Sequence, residues 1–391
     1  MSFTIHPGDF FGLENALSTQ EQDLVVNLRA YLETLRPRLD DLWEKAEFPT
    51  DLVAGLAKTG IIGLSWDETA PFPNSAEFRG WISLELARVD ASVATYVGVQ
   101  AGLAMGSIGL CGSPEQRAEW LPKMGTGEII GAFGLTEPTS GSDAALGLQT
   151  TARRRGDEWV LNGAKRWIGN ATWSNICIIW ARDVDDNKVK GFIVPTGTPG
   201  YQATKIERKI SLRMVQNADI VLTDVVVPES LRLPGARSFA DTAAVLRATR
   251  AEVAWAAVGA SIGAYEAALT YANERIQFGK PIAAHQLVQD LLVKCMGNIT
   301  ASLTLVREAS RKQDAGEDRD EFAALAKAYA TTRARETVAM AREIMGGNGI
   351  VLDYGAARFF ADVEALYSYE GTREINTLLV GRALTGQSAF V

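Results

Sequence analysis

The sequence predicts an α+β multidomain chain in three parts: an N-terminal α-helical domain over residues 1–132, a β-domain over 133–236 and a helical bundle over 237–391. Three observations carry this. Apolar residues recur at helical spacing early in the chain, as at Leu24, Val25, Leu28, Leu32 and Leu35. Near residue 132 the texture changes to short strand-like runs separated by turn signals. From about Ser238 helical spacing returns in long stretches with short joints, as in an up-down bundle of about four helices.

Taken in order, Ser18-Thr19-Gln20-Glu21 reads as a helix start, and Pro37 does not cleanly end the helical pattern after it. Pro49 and Thr50 open a helix over 51–59 that Gly60 closes; a third runs over 75–89 and a fourth over 91–109. Residues 93–103 are mostly small and apolar all round, so this helix is buried or lines a pocket. Strands are predicted at 150–154, 158–161, 176–181, 190–194 and 219–227, with Asn162-Gly163 as a turn and 197–200 as a loop. They make a barrel or small sandwich. Helices come next over 239–275, 284–316 and 320–345; Gln277-Phe278-Gly279-Lys280-Pro281 breaks the first from the second, and Gly346-Gly347 stops the third. A short segment over 355–366 leads to Glu370. Thr372 then caps a last helix over 373–384, with Glu374 in its first turn, where the dipole favours negative charge.

Composition excludes several function classes. Apolar residues make up 47% and charged residues 22%, the balance of a soluble globular protein. A net charge of −8, with no basic stretch interleaved with aromatics, argues against nucleic acid as a partner. Residues 1–13 hold no basic segment leading into an apolar run, and no apolar stretch is expected to reach membrane-spanning length without charges, so no membrane span is expected. Cys111, Cys177 and Cys295 are far apart, giving neither disulfide framework nor metal spacing, which fits the reducing cytoplasm of a bacterium. The only histidines are His6 and His285, and no Gly-x-Ser-x-Gly elbow occurs. Acid-base work therefore falls to a carboxylate, and the hard chemistry to a cofactor.

Tyr369-Glu370-Gly371-Thr372 places a carboxylate in a loop between an aromatic and a helix cap, a setting for a held base or for an ordinary surface Glu. The run from Gly134 to Asp143 is dense in hydroxyls and turn amides that suit a flavin or phosphate, or simply a capped loop. Lys165-Arg166-Trp167-Ile168-Gly169-Asn170 offers an indole for a planar ring or for the core. Arg275-Ile276-Gln277-Phe278-Gly279 is able to hold a pyrophosphate and cover an adenine, or to end a helix. Met345-Gly346-Gly347-Asn348-Gly349-Ile350 is not a dinucleotide fingerprint, because Leu352 stands where the third glycine belongs and the run comes after a helix.

Together these blocks resemble the acyl-CoA dehydrogenase family over nearly the whole chain. The matches are Leu135-Thr136-Glu137-Pro138 with Gly141-Ser142-Asp143, Lys165-Arg166-Trp167-Ile168, Arg275-x-Gln277-Phe278-Gly279, Met345-Gly346-Gly347-Asn348-Gly349 and Tyr369-Glu370-Gly371-Thr372. Arg88-Val89-Asp90, Val99-Gln100, Ala254-Trp255 and the ending Gly381-Arg382-Ala383-Leu384-Thr385-Gly386 with Ala389-Phe390 look most like the glutaryl-CoA dehydrogenase branch.

The resemblance implies FAD as cofactor, an acyl thioester as substrate and α,β-desaturation as the reaction. Glu370 would remove the α-proton while a β-hydride passes to flavin N5; the Glu370 backbone N–H and a ribityl hydroxyl would hold the thioester carbonyl. Burial under the acyl chain would raise the pKa of Glu370. Leu135 and Thr136 would meet the flavin edge, Trp167 its ring, and Ser142 the pyrophosphate or the CoA path. Arg275, Gln277 and Phe278, with Gly346 and Gly347, would hold the FAD of a neighbouring subunit, while Thr372 and Glu374 contact FAD on their own side. Phe133, Ile168, Gly169, Gln286 and Met345 complete the implied cofactor set. Ala94, Gly98, Ser142, Arg250, Tyr369 and Gly371 form the implied substrate set. Shared sites imply at least a dimer, and the family is usually a homotetramer served by an electron-transfer flavoprotein.

Two positions depart from the pattern. Glutaryl-specific members carry an Arg where Ala94 stands and a Ser where Gly98 stands. Without that cation a charged tail is left unpaired, so a short uncharged or differently polar acyl group is expected. Trp167-Ile168-Gly169 replaces Trp-Ile-Thr, which removes a hydroxyl and leaves a small space beside N5. The same Gly occurs in short-chain acyl-CoA oxidases of similar sequence, so oxidation by O2 stands as an alternative, as does a substrate on a carrier protein or a flavoprotein that has lost activity.

Overall fold

The computed structural model of the protein describes residues 3–317 and 319–390. Helices Thr19–Lys45, Asp51–Lys58, Ala76–Val89, Ala91–Cys111 and Pro114–Gly125 come first. Local chemistry sets their starts. Ser18 and Ser113 close capping boxes with Glu21 and Gln116, and Ser75 accepts from the Phe78 amide. Pro37 lies inside its helix without ending it.

The expected fourth helix is present but widened. Residues Gly98–Ala104 adopt π geometry between two α segments. Gln100 is fully buried there; its amide donates to the Met124 and Ile129 carbonyls, and its oxygen accepts from the Gly131 amide. π-turns are frequent at functional sites. The expectation of no stretch of spanning length is corrected at this helix. Ala91–Cys111 carries no charge and, at 21 residues, is long and apolar enough to cross a membrane, but 67% of it is buried inside the fold. It is the core helix that its all-round apolar character predicts.

The β-domain is one seven-stranded sheet: β1 Gly131–Gly134, β2 Thr151–Arg155, β3 Glu158–Ile168, β4 Ile176–Asp183, β5 Val189–Pro195, β6 Tyr201–Lys205 and β7 Ala218–Pro228. β4 pairs with β5 on one side and with β1 and β2 on the other; β3, β7 and β6 come next, so the curved sheet is an open half-barrel with β5 and β6 at its edges. Asn162-Gly163 is not a turn. It lies within β3, where Asn162 faces a bulge of Thr223 and Asp224 in β7; Gly163 holds φ +147 and a Cβ there would come within 2.7 Å of the Thr150 Cα. Close backbone approach, rather than chain reversal, explains that glycine.

The bundle comprises Phe239–Glu274, Gln286–Asp314, Asp320–Ile344, Ala356–Ser368 and Arg373–Thr385. The first packs along Ala76–Val89 at very short range: a Cβ on Gly259 would fall 2.2 Å from the Leu84 carbonyl oxygen. Gly259→Ala is therefore expected to force two backbones apart and destabilise the fold by about 1–3 kcal/mol, measured by urea unfolding of the holoprotein.

One helix joins all three parts and fixes the start of the loop beyond it. Asp362 accepts from Trp43 Nε1 (2.9 Å) and from the Leu212 amide (2.7 Å), while Arg358 pairs with Asp90 and, at 3.0 Å, with Asp40. The Ala356–Ser368 helix is thus pinned to both other domains one residue before Tyr369.

Candidate active site

Glu370 sits at φ +51, in the left-handed region that non-glycine residues rarely adopt, and Gly371 comes next at φ +85. Such strain persists only where the surroundings hold it. Lys327 supplies much of that hold. Its side chain is 1% exposed, and its ammonium donates to the carbonyls on both sides of Glu370, those of Tyr369 and Gly371. Asn376 donates to the Gly371 and Thr372 carbonyls from the other side (2.9 and 3.1 Å). Thr372 caps the last helix as expected, accepting from the Ile375 amide.

The carboxylate is held as closely as its loop. Thr249 Oγ1 lies 2.7 Å from Glu370 Oε2 and donates to it. The Leu246 carbonyl stands 3.2 Å from the same hydroxyl. When Glu370 gains a proton, the hydroxyl can turn to that carbonyl and accept from the acid. Burial raises the Glu370 pKa, against the pull of the Thr249 hydroxyl, Lys327 and Arg250. Burial lowers the Lys327 pKa, and Glu370 opposes that shift. The Glu370 backbone N–H has no hydrogen-bond partner among the described residues, which leaves a donor beside the carboxylate.

A carboxylate takes up a proton only when ionised, so a reaction that used Glu370 as its base would be lost as pH falls through this raised pKa. Thr249→Val removes a donor to the ionised form and raises the pKa further. The acid limb of the kcat–pH profile is expected to move about one unit to higher pH.

Arg250, next to Thr249, is half-buried with its Nε unpartnered; burial lowers its pKa while Glu370 and Asp320 oppose that. Tyr369 OH lies 3.5 Å from Thr95 Oγ1, which ties the loop to the helix bearing Ala94 and Gly98. Ala94 is buried, and a Cβ on Gly98 would meet no atom within 4 Å. Across the same helix lies the β-domain. A Cβ on Gly169 would come within 3.3 Å of Val99 Cγ2, so the expected small space beside Gly169 is already bounded by Val99.

Trp167 holds φ +66 with its ring 51% exposed and the Arg166 guanidinium 5.0 Å away, so it is not a core tryptophan. The Arg166 amide donates to the Thr136 carbonyl, and buried Lys165 donates to Leu135 O and Glu137, which sets the 135–137 loop beside Trp167. Ser142 is exposed; Phe133 packs on Trp180, and Ile168 belongs to the sheet core. The 275–278 turn projects outward instead. Arg275, Gln277 and Gln286 are exposed and Phe278 is 94% exposed. Gly346 and Gly347 are exposed with no atom within 4 Å of a Cβ, Met345 is buried, and Glu374 is exposed. No hydrogen bond or ion pair among the described residues joins that turn to Glu370.

These surfaces fit a flavin dinucleotide: an open indole face, a loop of amides and a hydroxyl, an exposed arginine and two exposed glycines. The order of helical domain, half-barrel and bundle, with a carboxylate held in the bundle beside the Ala91–Cys111 helix, defines a flavin-dependent oxidoreductase.

Models of the acyl-CoA dehydrogenase N-terminal, middle and C-terminal domains match residues 18–128, 132–225 and 239–385. The crystal structure of glutaryl-CoA dehydrogenase from Mycobacterium smegmatis is 37% identical, covers 98% of this chain and 99% of its own, and superposes with a TM-score of 0.94. A glutaryl-CoA dehydrogenase from the same organism in complex with FADH2 is 34% identical, covers 99% and 100%, and gives 0.95. An acyl-CoA dehydrogenase of Bacillus subtilis is 31% identical over 90% of this chain and 94% of its own length. The caffeyl-CoA reductase–Etf complex subunit CarC of Acetobacterium woodii is 32% identical over 88% and 92%. The chain belongs to the acyl-CoA dehydrogenase family. It is a FAD-dependent oxidoreductase of acyl-CoA thioesters.

Sequence reasoning missed Thr249, Lys327 and Glu252, the last of which lies one turn beyond Thr249. Lys327 alone left a signal, as a single cation inside the alanine-rich run 323–330.

Proposed function

We propose that this protein desaturates the α,β bond of a short acyl-CoA thioester, with Glu370 as the base that takes the α-proton. The held geometry of Glu370 carries this reading: a left-handed loop, a carboxylate bonded by Thr249 and flanking carbonyls gripped by Lys327. An α-proton is too weakly acidic for a bare carboxylate unless the carbonyl is held where negative charge develops. The unpartnered Glu370 N–H is suited to that task, worth about 3 kcal/mol for one such donor. FAD, when bound, accepts the β-hydride. Leu135, Thr136, Ser142 and Trp167 would hold it on the β-domain side, and Arg275, Gln277 and Phe278 of a second copy would hold it from across an interface.

That arrangement implies a homo-oligomer, a tetramer in the pattern of the family. Exposed Phe278, Leu287 (82%) and Val293 (70%) support it. Ala94 supplies no cation to a glutaryl tail from the Ala91–Cys111 helix, which supports an uncharged acyl group. An electron-transfer flavoprotein is the proposed acceptor, as the relative found in an Etf complex suggests, in a cytoplasmic setting that fits three buried free thiols.

The test is product analysis with butyryl-CoA and an electron-transfer flavoprotein. Formation of crotonyl-CoA supports the reading, and equally fast turnover with O2 alone would replace dehydrogenase by oxidase. No unsaturated ester from any short acyl-CoA would overturn it.

A further inference from the structure

A cavity of about 120 Å³ opens between the Ala91–Cys111 and Phe239–Glu274 helices, lined among others by Arg79, Gly102, Thr249 and Glu252. It adjoins the base, because the Thr249 in its wall is the residue bonded to Glu370. Glu252 lies three residues beyond Thr249, about one helical turn or 5 Å along the axis. Its carboxylate makes no hydrogen bond or ion pair with any described residue. Space beside it is kept by Gly102, where a Cβ would come within 2.7 Å of Thr249 Cγ2 and 3.4 Å of Glu252 Oε2. Arg79 also lines the cavity and is steadied through Nη1 by Asn74 Oδ1 at 3.0 Å. Burial pushes the Glu252 carboxyl up to about 7 against the pull of Arg79, and the charge of Glu370 adds to the rise.

An alkyl tail filling this space would strip water from Glu252 and Arg79 and give nothing back. A carboxylate tail would face Glu252. A tail ending in a hydroxyl or amide donates to the acid and accepts from the guanidinium. We infer that the cavity is an acyl-tail subsite, with Glu252 and Arg79 selecting thioesters whose acyl group ends in a neutral hydrogen-bonding group. The inference rests on the reading of Glu370 as base for an acyl-CoA thioester.

The experiment compares ω-hydroxypentanoyl-CoA with hexanoyl-CoA, which has a methyl in place of the hydroxyl, and with glutaryl-CoA. Butyryl-CoA, too short to present a tail group, serves as the control. The FAD-loaded protein is expected to prefer the hydroxyl ester to both counterparts by roughly ten- to a hundredfold in kcat/KM. Glu252→Ala is expected to bring the ratio of hydroxyl to methyl ester close to one, and Glu252→Gln, which keeps hydrogen bonding, to retain most of it. Turnover of butyryl-CoA with equal or better use of hexanoyl-CoA, or a preference that survives Glu252→Ala, overturns the subsite alone. No turnover of any ester, butyryl-CoA included, overturns the subsite together with the proposed function.

Discussion

Glu370→Gln is expected to lower kcat on a short acyl-CoA by about 10³- to 10⁴-fold, the loss that removal of a positioned base produces. The amide is isosteric with the acid, so Lys327 and Asn376 still grip the loop and Thr249 still has an oxygen to donate to. What disappears is the acceptor for the α-proton. Flavin content and thioester affinity are expected to stay near those of the parent protein, so the loss falls on kcat. Steady-state kinetics beside a flavin spectrum checks both halves. A variant that binds no flavin would indicate a folding role instead.

Lys327→Met is expected to cost about 10²-fold in kcat, for a different reason. The methionine fills most of the buried volume but donates to nothing, so the Tyr369 carbonyl loses its partner and the Gly371 carbonyl keeps only Asn376. Glu370 then relaxes from its strained φ, and a misplacement of about 1 Å is worth that factor. The charge effect is separable. As the proposed base Glu370 acts when ionised, and burial already raises its pKa above the ordinary carboxylate range. Removing the nearby ammonium raises it again, so the acid limb of the kcat–pH profile moves to higher pH. A purely structural lysine would lower kcat at every pH alike and leave that limb in place. Lys327→Arg, which restores charge and donors, is expected to recover part of both effects.

Where the sequence was legible, local chemistry was the reason. Ser18, Ser75 and Thr372 cap the helices they announce, because a hydroxyl meeting an amide three residues on is written within one turn. Gln277-Phe278-Gly279 breaks the bundle where expected, with Phe278 and Gly279 both at positive φ. Asn162-Gly163 misled because a glycine that admits a neighbouring backbone looks, in one dimension, like a glycine that turns the chain. β6 was missed because its residues alternate between half-buried and exposed and lack an apolar stripe. At the site, the loop bearing Glu370 and its Thr372 cap were readable from their own residues. Thr249 was not, and Lys327 showed only as a lone cation among alanines, since they reach Glu370 and Tyr369 across 121 and 42 residues. The π-turn at Gly98–Ala104 depends on Gln100 bonding residues from 24 to 31 positions away, which no helical period records.

The most direct measurement is exchange at the α-carbon. Butyryl-CoA is held anaerobically with the FAD-loaded protein in deuterated water, and deuterium at the α-carbon is tracked by mass spectrometry. Exchange by the parent protein and none above background by Glu370→Gln is the expected result. Undiminished exchange in Glu370→Gln would contradict the assignment of Glu370 as the base.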